Sequence, residues 1–102
     1  MSGMFLEPES NFAVSVVKSG KADFEVADGG PIVLTTATGR KYAKLLAMFR
    51  SEDAAAQYDA LAGFVVSGLP KEDIERMHPN AVAVLLFEVV KRSHVSEIEA
   101  GN

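Results

Sequence analysis

The chain has 102 residues, of which 48% are hydrophobic and 24% charged, the size and composition of one globular domain rather than a disordered tail. It contains no cysteine, which excludes a disulfide scaffold, a thiolate nucleophile and every sulfur-ligated zinc site. A net charge of −4 argues against nucleic acid as the main partner, because affinity for a phosphate backbone comes from lysines and arginines that displace counterions.

Residues 1–8 lack the basic start and continuous apolar run of a secretory signal. The longest apolar stretch, residues 81–87, is far below the roughly 20 residues of a bilayer span. A cytoplasmic protein without a membrane partner is expected. Residues 1–11 carry Pro8, Ser10 and Asn11, a composition that predicts a loosely held arm. Residues 12–17, rich in β-branched side chains, and residues 23–26, alternating polar with apolar, predict two strands. A turn at 18–21 separates them, and a second turn, Asp28-Gly29-Gly30-Pro31, precedes a third strand at 32–36. Residues 11–18 also admit a helix capped by Ser10, since Phe12, Val16 and Val17 share a helical face.

The period then changes. Tyr42, Leu45, Leu46 and Phe49 form one stripe of a helix from Thr38 to about Arg50. Ser51 is the expected cap of a second helix with Glu52 and Asp53 in its first turn. Its apolar face comprises Tyr58, Leu61, Ala62, Val65 and Val66, and Gly68 closes it as a left-handed cap. Pro70 opens a short third helix over 71–77, which stops where His78 precedes Pro79. Asn80 caps a fourth, with Val82, Leu85, Leu86, Val89 and Val90 on one face and Ala83, Val84 and Phe87 on much of the rest. Val95 and Ile98 extend it. The chain therefore reads as one α+β domain over 1–102, a small N-terminal antiparallel β-meander (12–36) followed by a bundle of three to four helices (38–99).

No pattern of catalysis or cofactor binding emerges. Gly20-Lys21 and Gly39-Arg40-Lys41 lack the companion glycines of a phosphate loop, and Thr38-Gly39-Arg40-Lys41 reads as a capped, solvated helix start whose functional alternative is an anion contact. His78 and His94 lack metal-ligand spacing, and the serines lack a nucleophile-elbow context. Glu72, Asp73 and Glu75 read as the solvated face of a short helix. They would also present three carboxylates to DNA if residues 54–77 were a helix-turn-helix, which weighs against that use. No cofactor, metal or enzymatic activity is expected.

What remains is apolar surface. Phe5, Met48, Phe64, Val84 and Phe87 lie off the main helical stripes, so they either complete a two-layer core or form an oligomer interface or partner groove. Phe64, Leu85, Phe87 and Val89 are the candidate protein-binding residues.

The order of elements over residues 32–93 resembles that of the small tail assembly chaperones of Mu-like and P2-like contractile-tail bacteriophages. The resemblance rests on Val33-Leu34-Thr35-Thr36-Ala37-Thr38-Gly39-Arg40 as a strand leading into a helix start, then the pair Leu45-Leu46. The turn Gly68-Leu69-Pro70 follows, then Asp73 through Met77 with Pro79 to Ala81, and last an apolar helix. It implies a non-enzymatic protein that binds the long helical tape measure protein, prevents its aggregation and helps recruit tail tube subunits. A small regulator or inhibitor of a host or mobile-element protein would equally lack catalytic residues.

Overall fold

The computed structural model describes the backbone of residues 10–101 and the side chains of residues 10–94. The chain runs β1 (Asn11–Lys18), β2 (Phe24–Asp28), β3 (Ile32–Thr35), α1 (Gly39–Ser51), α2 (Ala54–Phe64), β4 (Val65–Ser67), α3 (Lys71–Arg76) and α4 (Pro79–Gly101). This is the expected α+β arrangement, an antiparallel sheet followed by helices. Residues 11–18 are strand and not helix. Their alternation places Phe12, Val14 and Val16 against the core while Ala13 and Val17 on the opposite face are exposed. Of the expected arm at 1–11, residues 1–9 lie outside the described residues, while Asn11 is not loose but the first residue of β1. Ser10 is tied down, its N–H donating to Thr36 Oγ1 at 3.0 Å.

The strand order is β2-β1-β3-β4 and not the sequential order of a meander. β1 is long enough to serve two partners: Val14 to Lys18 pair with β2, and Asn11 to Val14 pair with β3 on the other edge. The link between β2 and β3 must therefore step across β1. It crosses at Gly30, where a Cβ would lie 2.7 Å from the Val14 carbonyl oxygen and 2.8 Å from Ser15 Cβ; only a residue without a side chain can pass so close.

The fourth strand corrects the expectation that Val65 and Val66 belong to the second helix. α2 ends at Phe64, and Val65 pairs opposite Leu34 on the open edge of β3. That edge supplies backbone partners to Val65 and, past the irregularity at Val66, to Ser67, and it takes up β-branched residues poorly suited to a helix end. Gly68 is left-handed, as its sequence context suggested, with φ 84°, but it closes the turn after β4 and not the helix. A Cβ there would fall 1.7 Å from the Pro31 carbonyl oxygen, so the turn is seated directly on the β2–β3 crossing.

Two caps also shift. Ser51 is the last residue of α1, its Oγ donating to Met48 O, and Asp53 caps α2 by accepting from Ala56 N at 3.1 Å. A carboxylate beside the helix dipole's positive end serves that role well. Glu52, left-handed at φ 57°, makes the corner between the two helices. α4 begins at Pro79 rather than after Asn80, and His78 fills the cap position, its Nδ1 accepting from Asn80 N at 3.0 Å. Asn80 is thereby free to bridge to the β1–β2 turn, donating from Nδ2 to Ala22 O at 2.7 Å.

α4 is the hub of the core. Val82, Leu85, Leu86 and Val89 are each 0% exposed and cluster with Val14, Ile32 and Leu34 of the sheet and with Leu45, Leu61 and Ile74 of the other helices. Arg92 fastens α4 to the sheet. Its guanidinium lies 4.5 Å from the Phe12 ring centre, Nε donates to Glu88 Oε2 at 2.7 Å, and Nη2 donates to Asp28. The hydrogen bond to Glu88 raises its pKa, adding to a charge that arginine carries at any physiological pH.

Candidate functional site

The four candidate residues separate into two groups. Leu85 and Val89 are 0% exposed and cannot touch a partner in the folded protein. Because α4 has the sheet on one side and helices on another, the stripe that on a peripheral helix would face solvent is buried here. Phe87 points the other way and is 62% exposed, with one edge-on ring contact to Phe49 of α1 at a centroid separation of 6.4 Å. Phe64 is half-buried at the end of α2, packed against the core and lining a groove. Phe5 lies outside the described residues.

The groove runs between α1 and α2 with a volume of about 480 Å³. The two helices form a hairpin around Glu52 and Asp53, so the stripe Lys41, Lys44, Leu45 and Met48 faces the stripe Asp59, Ala60, Gly63 and Phe64 across it. Leu45 and Phe64 give an apolar floor, Met48 a pliable wall, and Lys44 and Asp59 stand on opposite rims. Consecutive residues of α1 join the two features, Met48 lining the groove and Phe49 touching Phe87. Val66, on the short edge strand that continues from α2, is also 52% exposed.

Sequence reasoning named Phe64 and Phe87 but not the groove that Lys44, Met48, Ala60 and Gly63 build around the first. A signal was present in Gly63, which sits inside a helical pattern where glycine is the poorest ordinary helix former. A Cβ added there meets nothing within 4 Å, and its backbone is not left-handed. Neither usual reason for a glycine applies.

The histidines and Ser93 make contacts within the fold. His78 caps α4, and His94 Nδ1 lies 3.2 Å from the Tyr42 hydroxyl. Ser93 is buried and used by the backbone. Among the described residues no group of three or more histidines, aspartates or glutamates is placed to hold a metal ion, and no helix is long and apolar enough to cross a membrane. No family model matches the chain, and no curated protein or solved structure matches it.

Proposed function

We propose that this protein is a non-enzymatic tail assembly chaperone of a contractile-tail phage, which binds the helical tape measure protein through the apolar surface of α1, α2 and α4 and helps recruit tail tube subunits. The observation that carries the reading is Phe87. A phenylalanine left 62% exposed on a helix whose opposite stripe is wholly buried adds nothing to the core, and beside the α1–α2 groove it extends an apolar patch of the kind that marks protein interaction sites. The resemblance of the sequence over residues 32–93 to that family motivates the same reading. A tape measure presents long apolar helical stripes in need of cover before assembly, and a helix laid in a groove is a recurring mode of such recognition.

The test is a pull-down with the full chain from infected or lysogenic cells at low and high salt. One large helix-rich protein retained in both conditions, and lost with Phe87→Asp, is the expected result, since apolar burial survives salt whereas phosphate contacts do not. Capture of a compact regulatory protein instead would move the assignment to the small-inhibitor class. Nucleic acid that elutes at high salt with no protein partner would end the chaperone reading.

A further inference from the structure

We propose that the α1–α2 groove seats an amphipathic helix of the partner whose edge lying along α1 is lined with carboxylates. The inference rests on the chaperone reading and narrows it, naming the site and the chemistry of the segment recognised. Three observations lead there.

The first is charge. In a chain of net charge −4, α1 carries Arg40, Lys41, Lys44 and Arg50 and no carboxylate. Two of these cations stand in its first turn, which holds no acidic residue, the end where the helix dipole already favours negative charge. A carboxylate-lined edge laid along α1 would complement this run of cations. Lys44, on the groove's rim, is exposed and makes no ion pair among the described residues.

The second is the floor. Leu45, Met48, Ala60 and Phe64 offer apolar surface between the rims, which suits the apolar face of a helix and not a phosphate backbone. Asp59 on the α2 rim would repel a polyanion and accept a cation on the far edge of a helix. The third is Gly63. With open space where its side chain would be, it leaves the helix backbone bare at the groove floor, so a partner helix can approach more closely there than over any other residue.

The experiment uses two synthetic helical peptides of about 18 residues, long enough to hold a helix when bound, with one leucine and alanine face in common. One carries glutamates on one edge and lysines on the other; the second carries lysines on both. Titrated against the full chain by fluorescence anisotropy at low salt, the glutamate-edged peptide should bind about three- to tenfold tighter. Lys44→Glu should erase or reverse that preference, and Gly63→Leu should abolish binding of both peptides. If Gly63→Leu fails to fold by circular dichroism, Gly63→Ala, whose Cβ has room, should weaken binding without lowering the melting temperature. Equal affinity for the two peptides overturns the proposal, as does an anionic oligonucleotide that displaces the glutamate-edged one. Partner capture that is lost with Phe87→Asp but unchanged with Gly63→Leu overturns this groove while leaving the chaperone reading standing.

Discussion

Ser93 of α4 and Ala37, at the junction of β3 and α1, are 56 residues apart in sequence and joined by a buried hydrogen bond of 2.8 Å from the Ala37 N–H to Ser93 Oγ. The same hydroxyl donates to Val89 O at 2.6 Å, so a residue that is 0% exposed has both capacities filled. Ala37 leaves the strand before the helix begins, and its N–H has no ladder partner; α4 supplies one from about two turns beyond the core leucines.

Ser93→Ala should therefore destabilise the fold by about 1–3 kcal/mol, the usual cost of leaving a buried donor unsatisfied. Urea unfolding monitored by circular dichroism measures it. A change within experimental error would mean that Ala37 finds another acceptor and that this link does not hold the sheet to α4.

Leu85→Ala and Leu86→Ala should each cost about 2–5 kcal/mol, because both side chains are wholly enclosed and their removal leaves a cavity. Near-neutral values for both would contradict the central placement of α4.

Phe87→Ala should do the reverse. With most of its surface in solvent and one ring contact to Phe49, it should cost about 1 kcal/mol or less in stability and still remove partner capture. Loss of stability comparable to that of Leu85→Ala would place Phe87 in the core and withdraw it from the binding surface.

One chemical change should have opposite signs at three glycines. Gly30→Ala and Gly68→Ala bring a Cβ against carbonyl oxygens at 2.7 and 1.7 Å in backbones of positive φ, and each should cost about 2–4 kcal/mol. Gly63→Ala meets open space in a helix and should stabilise by up to about 1 kcal/mol. Melting temperatures of the three variants decide the matter; a destabilising Gly63→Ala would show that the glycine serves the fold and not the groove.

The first three strands, the boundaries of α1 to within a residue and the membership of the apolar face of α4 were legible because each is written in local chemistry: alternation, helical spacing, turn glycines. Phe64 and Phe87 were legible as surplus apolar residues. Leu85 and Val89 were misplaced for a reason of the same kind. Periodicity identifies an apolar face but not what covers it, and the helix is flanked on two sides by partners distant in sequence.

By itself, then, the sequence determined the α+β class, the single core and the exclusion of thiol chemistry, since composition and short-range pattern act within a few residues. The tertiary structure alone decided that the chain crosses β1 at Gly30, that Val65 and Ser67 pair with β3, with Val66 between them, instead of Val65 and Val66 finishing a helix, and that His78 rather than Asn80 caps α4. It also decided that Lys44 and Gly63 meet across one groove. Each of these depends on which distant backbone or side chain arrives within contact distance, and a free strand edge or an enclosed helix can outweigh local propensities worth only a fraction of a kilocalorie per residue.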